Sequence, residues 1–130
     1  MSIAPSHLDL VDSKITFAHV ATVNAGGEPQ VTPVWFDHAN GVIRINTAQG
    51  RVKARNLSEG APVALSILDP DNPYRYIQIR GHVTRVTTDG ADAHIDALSR
   101  KYIGKDYPWR QPGETRITIE IAPEHSNTMG

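Results

Sequence analysis

The dipeptide Asn40-Gly41, set between two runs rich in β-branched and aromatic residues, constrains this chain more than any other feature. Asn-Gly supplies the two positive φ angles of a tight hairpin turn, so Gln30 to Asp37 and Val42 to Thr47 must run antiparallel. The same grammar recurs on either side. Gly26-Gly27 turns a first strand, Phe17 to Asn24, into the second, and the apolar character of that first strand on both sides predicts burial on both faces. Pro33 has no N–H to give to a ladder, which places it at an edge or a bulge. Val63, Leu65 and Ile67 alternate as a fourth strand. Asp69-Pro70-Asp71-Asn72-Pro73 then turns the chain into a long fifth, Tyr74 to Thr87, with Ile77, Ile79 and Val83 on one face. Ile117, Ile119 and Ile121 alternate in a last strand, and the tail 123–130 has no pattern and is expected to fray. Six strands with tight turns and only two or three short helices predict a mainly β protein, a small antiparallel barrel rather than a doubly wound sheet.

The helices are short. Within the N-terminal segment 1–14, Pro5 opens an amphipathic turn with Leu8, Leu10 and Val11 apolar, suited to covering an end of the sheet. A second helix spans 51–59, with Gly50 as its N-cap and Ala54, Leu57 and Ala61 facing inward. A third runs from about 90 to 103, capped by Thr88 or Asp89 and stopped by Gly104, with Ala91, Ile95, Leu98 and Tyr102 inward and Asp96 and Arg100 paired outside.

The candidate site lies where the third strand enters the second helix. Asn46, Thr47 and Gln49 lead into Arg51, Lys53 and Arg55 at the predicted helix start. Cations at a helix N-terminus oppose the macrodipole, and a bound anion, most naturally a phosphate, would resolve that conflict. Three cations on a short surface helix can equally be a solvated face. Trp35, Tyr74, Tyr76, Tyr107 and Trp109 can wall a planar ligand or pack in a core or interface.

Composition narrows the field. A chain of 130 residues is one domain, large enough to bury about two thirds of its unfolded surface. A net charge of −1 argues against nucleic acid and anionic lipid as partners, and the lack of cysteine removes disulfides, thiolate metal sites and a cysteine nucleophile. Its six histidines show no metal-ligand spacing. Met1 to Lys14 has neither a basic start nor an apolar core, and no apolar run approaches a membrane span, so a cytoplasmic protein is expected.

Three stretches together resemble the flavin-binding split β-barrel family of the pyridoxamine 5'-phosphate oxidase type, in particular its actinobacterial branch that uses the deazaflavin coenzyme F420. They are Thr32-Pro33-Val34-Trp35-Phe36, then Asn46-Thr47 with Arg51-Val52-Lys53-Ala54-Arg55-Asn56-Leu57, and Asp69-Pro70-Asp71-Asn72-Pro73-Tyr74-Arg75-Tyr76. The resemblance implies a six-stranded split barrel that works as a homodimer, with two cofactor sites at the subunit interface. By that resemblance Arg51 and Lys53 hold the cofactor's phosphate, with Arg55 and Asn56 behind them. Val34, Trp35, Phe36 and Asp37 line the ring along the second strand, and Asn46 sits beneath it beside Thr47. Pro73, Tyr74, Arg75 and Tyr76 reach the cofactor bound by the other subunit, and Tyr107 and Trp109 form the cleft wall. The chain lacks the Arg-x-x-x-Leu-Lys pattern of true pyridoxamine phosphate oxidases and their extended C-terminal substrate segment.

The implied activity is that of an oxidoreductase passing a hydride from reduced F420 to a small unsaturated molecule. The alternatives are an FMN-dependent oxidase or reductase using the same phosphate cradle, and a carrier that binds F420, flavin or haem without turnover. No residue stands out as a proton donor.

Overall fold

The computed structural model describes residues 3–130; the first two residues of the expected N-terminal segment lie outside it. A 3-10 turn, Pro5–His7, leads into helix α1, Leu8–Asp12. Strands β1 (Ala18–Val23), β2 (Pro29–Val34), β3 (Asp37–Ala39) and β4 (Val42–Ala48) follow, then α2 (Val52–Asn56), β5 (Pro62–Asp69), β6 (Asn72–Thr87), α3 (Ala91–Ile103) and β7 (Arg116–Met129). Every strand pairing is antiparallel, in the order β2-β1-β5-β6-β7-β4-β3.

The described residues form seven strands where six were expected, because the run from Gln30 to Asp37 breaks in two. Val34 still pairs with Ala18, whereas Asp37 pairs with Arg44 at the opposite edge of the sheet. Trp35-Phe36 thus carries the chain from one sheet edge to the other, and the sheet closes into a barrel through this covalent bridge. A backbone leaving its ladder must find other partners. Phe36 finds them on α3: its N–H donates to the Tyr102 hydroxyl at 3.2 Å, and its carbonyl accepts from Lys101 Nζ at 2.8 Å. The Phe36 side chain, fully buried, plugs the barrel at the break.

Alternation builds the interior as expected: Val63, Leu65, Ile67, Ile77, Ile79, Val83, Ile119 and Ile121 are all buried in one cluster. The hairpin at Asn40-Gly41 has both residues at positive φ, 53° and 77°. Pro33 sits on β2, an edge strand of the order, where its missing donor costs no ladder bond. β1 departs from expectation, since Ala18 and Val20 face inward but Phe17 and Val23 remain half exposed.

The tail does not fray. β7 continues to Met129 and pairs with β6 back to Tyr76, making 123–129 part of the longest ladder in the molecule. Its polar sequence hides a strand because no residue from 123 to 129 is buried, so no apolar alternation marks it, and a bulge shifts the register. At that bulge Gly81 lies so close to β7 that a Cβ would come within 1.9 Å of the Ala122 carbonyl oxygen. No helix among the described residues is long and apolar enough to cross a membrane.

Candidate cofactor cleft

α2 is shorter than the expected helix, only Val52–Asn56, and Arg51 rather than Gly50 is its N-cap. Gly50, at φ 91°, instead makes the turn that precedes it. Leu57 is fully buried and Ala54 packs on the core, so this inward side is as expected and fixes which way the cations face. With one turn of helix, the macrodipole contributes little, so any hold on an anion would fall to the charges themselves.

Those charges line a cavity of about 420 Å³, within the range of small-molecule sites. Arg51 and Lys53 form one part of its wall, with Asn46 and Thr47 from the end of β4. Pro33, Val34 and Trp35 from β2 form another, while Tyr107 and Trp109 come from the loop after α3. Burial holds Lys53 below its ordinary pKa, and the neighbouring Arg51 pushes it the same way. Among the described residues no carboxylate offsets this. Thr47 adds a second unmet demand: its hydroxyl is buried at the cavity wall without a hydrogen-bond partner. A phosphate or other anionic, acceptor-rich group fits both.

The aromatic wall is built in layers. Tyr102, tied by its hydroxyl to the Thr16 carbonyl at 2.6 Å, stacks between Phe17 and Trp35 with centroids 5.4 and 5.3 Å away. Burial, with the Asp37 charge adding to it, pushes the Tyr102 phenol up to about 12, so it stays neutral at physiological pH. Tyr107 and Trp109 meet Trp35 edge-on and tilted, at 6.2 and 6.4 Å. Their loop is pinned to α3, since Asp96 accepts the Tyr107 N–H at 3.0 Å and pairs with Arg110 at 2.7 Å. The expected Asp96–Arg100 pair is therefore replaced: Asp96 takes Arg110 and Arg100 takes Asp106.

Beneath the cavity lies a polar chain that sequence reasoning did not find. Asn46 donates to the Ala91 carbonyl at 2.9 Å and to His94 Nδ1 at 3.2 Å, and its oxygen accepts from Arg116 Nε at 2.9 Å. These partners fix both the orientation of its amide and the histidine tautomer, with Nδ1 accepting and Nε2 protonated. His94 Nε2 lies 3.3 Å from Asp37 Oδ2, which Arg44 also grips through two bonds of 2.9 and 2.7 Å. Arg116 itself lines the cavity. The available signal was that Arg116 and Thr118 precede and interrupt an isoleucine run and lie on the face of β7 turned toward α3.

The structure brings Val34, Trp35, Asn46, Thr47, Arg51, Lys53 and Tyr107 to one cleft. Other expected ring or phosphate contacts are engaged elsewhere. Phe36 is core, and Asp37 belongs to the pair with Arg44 and His94. Arg55 donates to the Gly50 carbonyl, and Asn56 donates to Thr22 on β1 and to Asn24 just beyond it, so both brace the loop behind the cations. Pro73, Tyr74, Arg75 and Tyr76 lie at the start of β6, outside the cavity of their own chain. Arg75 is tied within the chain, to Asp9 at 2.7 Å, Asp69 at 3.0 Å and the Ser6 carbonyl.

A closed antiparallel barrel with an aromatic, cation-edged cleft beside its split is the frame of a flavin-type cofactor site. The chain belongs to the pyridoxamine 5'-phosphate oxidase family, whose model matches residues 6–130. Among solved structures it is similar to a protein described as an F420 reductase, at 31% identity and a TM-score of 0.85, covering 96% of this chain and 98% of that one. It shares the fold of a conserved hypothetical protein from Mycobacterium tuberculosis, at 20% identity and TM-score 0.74 over 98% and 84% of the chains. It also shares the fold of an FAD and heme binding protein from Mycobacterium smegmatis, at 23% identity and TM-score 0.69 over 97% and 70%. No curated protein sequence matches it.

Proposed function

We propose that this protein is a cytoplasmic oxidoreductase that binds coenzyme F420 in the cleft and reduces a small unsaturated molecule. The observation that carries the reading is the pair Arg51 and Lys53, two adjacent cations without a carboxylate, at the wall of an aromatic cavity. They would hold the cofactor's phosphate, and the orphaned Thr47 hydroxyl would find an acceptor there. Val34 and Trp35 would flank the ring, with Tyr107 and Trp109 limiting access of water. When bound, reduced F420 supplies a hydride; the protein's part is to orient ring and acceptor and keep the site dry. The likeness to an F420 reductase along nearly the whole of both chains favours the deazaflavin over FMN, which would use the same cations.

The reading includes a homodimer with each site at the subunit interface. Tyr74 is 78% exposed in the single chain and lies outside its own cleft, which supports a role for this side chain at a partner's site.

Side-by-side titration with F420 and FMN tests the reading. F420 should bind and FMN should bind more weakly; the reverse order would make the protein a flavin enzyme. Arg51→Ala with Lys53→Ala should weaken F420 binding by tenfold or more, since each charge-assisted hydrogen bond contributes about 1.5–3 kcal/mol. Unchanged affinity would remove the cradle. Binding without any consumption of the reduced form across quinones and enones would make the protein a carrier.

A further inference from the structure

We propose that Arg116 is the substrate-anchoring residue of this cleft, holding the carbonyl oxygen of a conjugated acceptor. The inference rests on the reductase reading above but on different atoms. Arg116 has a side chain only 4% exposed, yet it lines the cavity. Its Nε donates to Asn46 Oδ1 at 2.9 Å and its Nη1 to Glu114 Oε1 at 3.0 Å. Its guanidinium lies over the Tyr107 ring, 5.1 Å from the centroid. The group is thereby held in place, and among the described residues Nη2 donates to no protein atom and is not sealed off, so it opens to the cavity. A buried guanidinium with an unused donor at a cavity wall is a recognition device for an oxygen.

Charge selects which oxygen. Among the described residues Arg51 and Lys53 have no ion-pair partner and suit an anion, whereas Arg116 is already neutralised by Glu114, itself nearly buried. A neutral carbonyl that becomes negative during reaction fits such a pair better than a carboxylate that arrives charged. A donor held in place before the reaction contributes most where charge develops. On an α,β-unsaturated carbonyl, hydride from reduced deazaflavin would form the new C–H bond at the β-carbon. The C=C electron pair would move to make an enolate whose oxygen Arg116 Nη2 holds, and water would protonate the α-carbon. The acceptor gains a hydride, which carries both electrons, and a proton; the reduced cofactor loses the hydride, and solvent supplies the proton. Asn46 and His94, beneath, act on Arg116 as positioning residues, since the Asn46 amide orientation decides whether an oxygen or a donor faces Nε.

Cyclohex-2-enone labelled with 13C at its carbonyl, added to the protein with and without oxidised F420, tests this directly. A hydrogen bond from Arg116 should move the bound carbonyl resonance downfield, and Arg116→Met should abolish the shift and weaken enone binding by about tenfold or more. Because Arg116→Met leaves Glu114 buried and unpaired, Arg116→Met with Glu114→Gln serves as the folded control, its melting checked by circular dichroism. F420 affinity should stay within about twofold in both. An unaltered carbonyl shift would overturn the proposal. So would a fall in F420 affinity parallel to the loss of the enone, which would assign Arg116 to the cofactor's own carbonyls. If the unmodified protein takes up no F420, the cofactor reading fails by itself, and the enone shift on the protein alone then decides Arg116 either way.

Discussion

Asp37 illustrates how a residue can serve the site without touching it. Burial alone would raise its carboxyl pKa, but the His94 Nε2–H group 3.3 Å away and the doubly hydrogen-bonded Arg44 guanidinium outweigh that and hold it at about 2, against an ordinary 3.8. A carboxyl depressed on folding stabilises the protein above its unfolded value, and that stabilisation, about 2 kcal/mol, is lost as pH falls from about 4 through about 2. Asp37→Asn should therefore unfold more easily in urea at pH 7 and lose this part of the acid limb. An acid limb that overlays that of the unmodified protein would show that the Arg44–Asp37–His94 chain contributes nothing. Lys53 is the opposite case, a charge the fold disfavours. Such a residue is retained against its own stability cost when a ligand completes it.

At the scale of elements, two ties decide the shape of the sheet. Gly81 permits the β6–β7 bulge, and Gly81→Ala would drive a Cβ into the Ala122 carbonyl. The backbone has to move, so a destabilisation of about 2 kcal/mol or more is expected in chemical denaturation. A near-neutral change would mean the two strands can separate freely at that point. The second tie is Arg75, which joins α1 to the β5–β6 hairpin through Asp9 and Asp69, where Lys14 also pairs with Asp69. Mutual hydrogen bonding raises the Arg75 pKa and lowers that of Asp69, whose largest contribution is the Asp71 backbone N–H. Arg75→Ala should lower the melting temperature while leaving F420 affinity unchanged in the titration. Lost affinity with an unchanged melting temperature would instead place its guanidinium on the partner's cofactor.

At the scale of the whole molecule, the proposed reading requires two copies of the chain to pair. Equilibrium sedimentation should give a dimer, and Tyr74→Asp, which puts a charge on the exposed tip, should shift it toward monomer and weaken F420 binding together. A monomer that binds F420 fully would confine the site to one chain. Much of the barrel was legible because a period of two, read with Asn40-Gly41 and the Asp69–Pro73 turn, has only antiparallel solutions. The cations of the cleft were legible too, because Arg51 and Lys53 are close in sequence and Leu57 fixes their face. What the chain could not show were meetings between distant residues: Phe36 with Lys101 and Tyr102, Asn46 with His94 and Arg116, Arg75 with Asp9. Local pattern reports which side of an element turns inward, since neighbours in sequence share a backbone geometry. Which polar group satisfies a buried donor depends on how seven strands close around one another, and that is fixed only when the whole barrel forms.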